Sequence, residues 1–281
     1  MYGPFFGEFM GTLVLILLGD GAVANVLLKK SKGENSGWIV IATAWGMAVV
    51  AGIFTAVAFG SPGAHINPAI TLTVAVLSGD WSKVGLFWTT QILGGFAGAS
   101  LVWLVYLPHW RVTPDAEAKL AVFCTAPAIL NLPANLLTEI IATTCLIVVG
   151  FSFGSPAVST TGLPIGLGPW LWGVLVWAIG LGLGGPTGYA INPARDFGPR
   201  IAHAILPISD KGSSDWGVRG RTDHRPVDRR RHRRSRYQAG GYPVIAIFTA
   251  RTMVSPVFPC APCGEDSDSF IHKRNCQART P

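Results

Sequence analysis

Charge is scarce in this 281-residue sequence. Asp, Glu, Lys and Arg together make up 13% of it, where a soluble domain carries about 25%. Hydrophobic residues account for 49% and the mean hydropathy is +0.41. This shortfall excludes an ordinary water-soluble domain and assigns most of the chain to lipid. Cysteine is too sparse and too scattered for a disulfide framework. Of the five cysteines, Cys124 falls at a loop edge and Cys145 inside an apolar run. Cys260 and Cys263 form a lone CxxC with no second pair, which is weak ground for zinc. The apolar segments hold no nucleophile–base pair and no metal-ligand spacing, so neither an enzyme nor a cofactor or metal site is expected.

What the sequence does contain is a series of apolar runs. A spanning helix takes about 20 such residues. The runs are Phe5–Leu28, Ile39–Phe59, Val84–Leu107, Leu136–Phe153 and, shorter, Pro169–Leu183. The first is too long for a signal peptide and lacks a basic n-region and a small-residue cleavage site.

The chain divides into two similar halves, joined by a proline-containing loop of mixed charge over Thr113–Pro133. Each half opens with a span carrying a glutamate, Glu8 in one and Glu139 in the other. Each continues with a second span and then reaches Asn-Pro-Ala, at Asn67-Pro68-Ala69 and at Asn192-Pro193-Ala194. Duplicated halves with an odd number of spans predict inverted repeats with a permeation site at their interface. The segments opening at Asn67 and Asn192 would be half-helices that enter from opposite faces and meet at the midplane. Irregular backbone survives at that depth only where it is buried in protein or lines water. N–H groups at such helix starts lack intrahelical partners and point at a small polar solute.

Carboxylates in lipid are costly, so Glu8 and Glu139 need a role. Either each accepts hydrogen bonds from the loop entering a half-helix, or Glu8 sits near the interface and reaches water. Gln91 reads as another internal hydrogen-bonding residue. Gly94, Gly95, Gly98, Gly180, Gly182, Gly184 and Gly185 read as sites of close helix contact, with Gly180 also a candidate for widening a pore.

The stretches Ser61–Ala69 (SPGAHINPA) and Gly188–Arg200 (GYAINPARDFGPR) resemble the two signature loops of the aquaporin superfamily. The chain up to about Asp215 resembles its aquaglyceroporin, or glycerol facilitator, branch. The resemblance implies an all-α membrane protein, an inverted-repeat helical bundle with two re-entrant half-helices. It implies that Asn67 and Asn192 donate to the permeant at the pore centre, with Arg195 in an outer constriction completed by Trp45, Gly180 and Tyr189. The alternative for Arg195 is a structural ion pair with Asp196.

Water-selective relatives carry histidine where Gly180 stands, so glycine here implies room for a carbon backbone. Tyr189 stands where glycerol channels often carry phenylalanine, and Asp196 and Arg200 match the glycerol branch. His65, next to the first motif, is expected to be structural or pore-lining. The implied partners are glycerol, with water or urea as further solutes, the lipid bilayer, and copies of itself in a homotetramer. The resemblance puts the first loop outside the cell, whereas Lys29, Lys30 and Lys32 favour a cytoplasmic placement.

The same resemblance calls for a sixth span after residues 213–217. The sequence there turns basic instead, and an arginine cluster between Arg219 and Arg236 dominates the net charge of +7. Each arginine at mid-bilayer would cost about 2.5 kcal/mol or more, so this stretch cannot cross. The run Tyr242–Phe258 is a poor substitute, holding Pro243 and Arg251. The chain therefore reads as a channel domain over 1–217 and a basic tail over 218–281. A water-selective channel, a non-conducting truncated channel, and a membrane-anchored binder using the tail on anionic lipid or nucleic acid are the competing readings; the last lacks any folded nucleic-acid motif.

The genetic code offers a specific account of the tail. Read one base later, Arg225–Ser235 with CGN arginine codons permits Gly-Pro-Leu-Ile-Gly-Gly-Val-Ile-Gly-Ala, an apolar glycine-rich run. The expectation is that residues from about Val218 onward are out of frame. Reading the nucleotide sequence checks this: a one-base shift should restore an apolar span, and no such span in any frame ends the idea.

Overall fold

Proline and capping side chains decide where the apolar runs become helices. The computed structural model describes residues 3–215. These form α1 (Pro4–Leu27), α2 (Trp38–Ala58), α3 (Pro68–Ser78), α4 (Val84–Val105), α5 (Leu107–Val112), α6 (Ala116–Phe123), α7 (Leu132–Ser152), α8 (Leu167–Leu183) and α9 (Pro193–Ile205). Proline occupies the first turn of α1, α3, α7 and α9, where its missing N–H costs nothing. Asn67 and Asn192 cap α3 and α9, their side-chain oxygens accepting from N–H groups of the first turn. The helices α1, α2, α4 and α7 are long and apolar enough to cross a membrane. At 17 residues α8 is shorter, about 25 Å at 1.5 Å per residue.

The order α1–α2–α3 repeats as α7–α8–α9. Within the first half α1 packs on α2 and α4, within the second α7 packs on α8, and the halves join through α2 against α8 and α4 against α9. Leu15, Ile16, Ala48, Leu146, Ile147 and Ile179 are among the residues buried between helices. The outward faces carry Leu18, Phe54, Leu86, Leu93, Leu137 and Val174, all exposed. That is the inside-and-outside apolar pattern of helices solvated by lipid rather than water.

Small residues allow close crossings. A Cβ added to Gly98 on α4 would lie 2.5 Å from the Leu13 carbonyl oxygen of α1. Gly182 and Gly185 differ from the sequence expectation of close contact, since a Cβ on either meets nothing within 4 Å among the described residues.

The connection between halves also differs from expectation, because Thr113–Pro133 is not all loop. Asp115 caps α6 there, accepting from the N–H groups of Glu117 and Ala118. The helix buries Val122 and Phe123, and the Phe123 ring stacks on Trp110 of α5 at 5.5 Å. The third span ends at Val105, two residues before its expected limit, and α5 begins anew at Leu107 with Pro108 in its first turn, whose ring cannot continue a helix from α4. The fourth span starts earlier than expected, at Leu132, because Asn131 caps it. The expected loss of a sixth span and the basic tail lie outside the described residues.

Gly98→Val should cost about 1–3 kcal/mol by overpacking the α1–α4 crossing, read as a lower thermal midpoint in detergent. Gly182→Ala, facing open space, should leave that midpoint unchanged.

Candidate functional site

Two non-helical loops run into the capped starts of α3 and α9, and each hangs from one buried glutamate. Glu8 is fully buried rather than at the interface. Its Oε1 accepts from the Ser61 hydroxyl (2.6 Å) and the His65 N–H (2.8 Å). Its Oε2 accepts from the Ile66 N–H (2.6 Å) and the Gln91 amide (2.8 Å). In the second half, the Glu139 oxygens accept from the N–H groups of Ala190 (3.1 Å) and Ile191 (3.2 Å). The loops share a strained backbone. Ala64 and Ile66 have φ of 38° and 43°, Tyr189 and Ile191 have φ of 40° and 38°. Left-handed geometry at an isoleucine is unfavourable, by about 1–3 kcal/mol each, and the carboxylate bonds offset it.

The two half-helix starts are tied to each other. The Asn67 Nδ2 donates to the Ile191 carbonyl at 3.0 Å, and the Asn192 Nδ2 donates to the Ile66 carbonyl at 2.9 Å. Each Asn Oδ1 accepts from its own helix, from Ala69 N–H in one case and from Ala194 and Arg195 N–H in the other. Both amides are thereby fixed with oxygen toward the helix and nitrogen toward the centre. Pro68, Ala69, Pro193 and Ala194 complete the two first turns.

A cavity of about 350 Å³ runs past this centre, with Asn67, Asn192, Trp45, Tyr189, Arg195 and His65 among its lining. At one part of it the Arg195 guanidinium carbon sits 4.1 Å from the centroid of the Trp45 ring. Trp38 meets Tyr189 edge-on at 5.9 Å and donates its Nε1 to the Gly180 carbonyl at 3.0 Å. Gly180 does not itself line the cavity. It leaves room for the Tyr189 ring, because a Cβ there would lie 2.9 Å from Tyr189 Cζ and Oη. Trp45 Nε1 and Tyr189 Oη are buried without a hydrogen-bond partner among the described residues, and so is Arg195 Nη1, which lies 3.9 Å from Asp20 Oδ1.

His65 packs edge-on against Phe87, its Nδ1 3.1 Å from the Thr71 hydroxyl. Asp196 bonds Arg200 at 2.9 Å and the Thr125 N–H and hydroxyl, so its partner is not the adjacent Arg195. Among the described residues no group of His, Cys, Asp and Glu could hold a metal ion.

The family model described as "Major intrinsic protein" matches residues 1–209. The chain belongs to the major intrinsic protein family. It is 58% identical over 213 residues to a Thermotoga maritima protein named "Probable glycerol uptake facilitator protein", an alignment covering 75% of this chain and 88% of that relative. It is 48% identical to the "Glycerol uptake facilitator protein" of Bacillus subtilis, covering 75% of each. It is 42% identical to a "D/L-lactic acid transporter" of Lactiplantibacillus plantarum, covering 74% of this chain and 85% of the relative. The crystal structure of the Plasmodium falciparum aquaglyceroporin superposes with a TM-score of 0.65 at 29% identity, covering 74% of this chain and 83% of that one. This member of the family is thus a multi-pass membrane protein with an aquaporin-like helical bundle, in the glycerol facilitator branch.

The family motifs pass over several residues at this site. Trp38 bonds the Gly180 carbonyl and meets the Tyr189 ring, and Thr125 bonds Asp196, through contacts no local pattern encodes. Asp20 is different: it is a carboxylate inside an apolar run, the same signal that singles out Glu8.

Glu8→Gln should destabilise the protein more than Glu139→Gln. A glutamine at residue 8 turns one acceptor into a donor facing two existing donors, at about 3 kcal/mol, whereas Glu139 receives two bonds rather than four. Thermal unfolding of both variants in detergent checks the order.

Proposed function

We propose that this chain is a passive channel for glycerol and other small neutral solutes, a homotetramer of a bacterial cell membrane, and that it performs no catalysis. The observation that carries the reading is the placing in one part of the cavity of the Arg195 guanidinium over the Trp45 ring, with Tyr189 also in the lining. A polyol has hydroxyls on one edge and CH groups on the other. Its hydroxyls accept from Arg195 while its CH groups slide on the rings. Deeper in, they accept from the fixed amides of Asn67 and Asn192. The two helix starts add partial positive charge at the same depth. That field repels cations and turns hydroxyls or waters so that their oxygens face the amides, which breaks a proton wire. Gly180 favours the polyol over a water-only pore, since it admits the Tyr189 ring without a side chain of its own. The names of the Thermotoga maritima and Bacillus subtilis relatives support glycerol as the solute.

In this reading residues 1–217 carry the channel and the segment from about Val218 is out of frame. Stopped-flow light scattering on proteoliposomes tests both points, with glycerol, urea, lactic acid and water as osmolytes or permeants. A frame-restored chain should pass glycerol several-fold faster than protein-free vesicles, and the 281-residue chain far more slowly. No glycerol flux from the restored chain would sink the channel reading. Equal flux from both chains would refute the reading of the tail.

A further inference from the structure

Gly19 and Asp20 of α1 stand behind the outer constriction. A side chain on Gly19 would overlap the Trp45 ring, so α1 is the wall on which that ring lies. Asp20 is 0% exposed, and neither of its carboxylate oxygens has a hydrogen-bond partner among the described residues. A lone carboxylate in such surroundings is strongly unfavourable. Its ion-pair partner among the described residues is Arg195, whose Nη1 lies 3.9 Å from Asp20 Oδ1; the Asp196 carboxylate also acts on it, with the opposite sign. Arg195 Nη1 is likewise buried without a hydrogen-bond partner. The neighbouring charges are already matched, since Asp196 is bonded to Arg200 and Thr125. Asp20 is absent from the cavity lining that includes Arg195, so it acts from behind the guanidinium and does not touch a permeant.

We propose that Asp20 is the fixed counter-charge of Arg195, a positioning residue that draws the guanidinium into the wall and cancels its net charge at the constriction. The cation stays over the Trp45 ring with its Nη1 toward the carboxylate. The constriction then selects through oriented donors and shape, not through a net positive field. Without Asp20, the guanidinium is free to lean into the pore and to attract anions.

The role in selectivity rests on the channel reading above, but the pairing itself does not, and a double-mutant cycle separates them. Thermal midpoints in detergent are measured for the full chain, Asp20→Asn, Arg195→Leu and the double variant. Arg195→Leu leaves a buried unpaired carboxylate and should lower the midpoint by about 6 °C or more. Adding Asp20→Asn should recover most of that loss. Losses that simply add overturn the pairing, whether or not any variant conducts. Should Asp20→Asn alone fail to accumulate, the pairing still requires the double variant to accumulate, and its failure to do so overturns it.

In proteoliposomes of the frame-restored chain, Asp20→Asn should lower the glycerol-to-water permeability ratio several-fold. It should also make glycerol flux sensitive to millimolar formate. An unchanged ratio and no formate effect overturn the role in selectivity. Absence of glycerol flux from the parent would count against the channel reading, with the thermal cycle still deciding the pairing.

Discussion

Backbone N–H and carbonyl groups outside a helix have nowhere to go in hydrocarbon, and the architecture of this protein follows from how two short loops meet that constraint. Each loop is non-helical where it lines the cavity, so its N–H groups have no helical solution. A buried carboxylate takes the N–H groups instead, Glu8 for residues 65 and 66 and Glu139 for residues 190 and 191. The strained φ angles at Ala64, Ile66, Tyr189 and Ile191 are what turn successive N–H groups to one side. Glutamate is therefore doing in protein what water does for an ordinary loop. Its own desolvation is offset because four donors converge on Glu8 and two on Glu139.

The two halves solve the same problem with unequal means. Glu8 is supplemented by Ser61 and Gln91, and Gln91 also donates to Thr71 at 3.0 Å, so the first loop is braced from α4 as well as α1. The second half invests its polar groups farther along the chain. Asp196, Arg200 and Thr125 bind the start of α9 to the segment after α6, and Lys211 closes the far end of α9 by donating to the carbonyls of His203, Ala204 and Leu206. The less symmetric half is the one that carries Tyr189 and Arg195.

The spans and the two half-helix starts were legible because their signals are local. An apolar run needs no partner to be recognised, and Asn followed by Pro is a helix start in isolation. Glutamates inside such runs pointed to loops that need acceptors. Two features were not readable in this way. The helix α6 depends on Phe123 stacking over Trp110, a contact between segments. The role of Gly180 depends on where the Tyr189 ring comes to rest. The ion pair at Asp196 follows helix geometry: residues 196 and 200 share a face, while 195 and 196 diverge. That last rule was available in the sequence, and it also leaves Arg195 needing a different carboxylate.

The exchange between Asn67 and Asn192 bears on how such a protein can be made. Each amide donates to a carbonyl of the other half, 124 and 126 residues away in the chain. During synthesis the first half emerges with its central carbonyl and amide both unmet, in a setting that offers no water-like substitute. Its loop can reach its final shape only when α9 arrives. The two repeats are thus halves of a single cooperative unit, not modules added in sequence, and a nascent chain that stalls between them leaves these polar groups unmet.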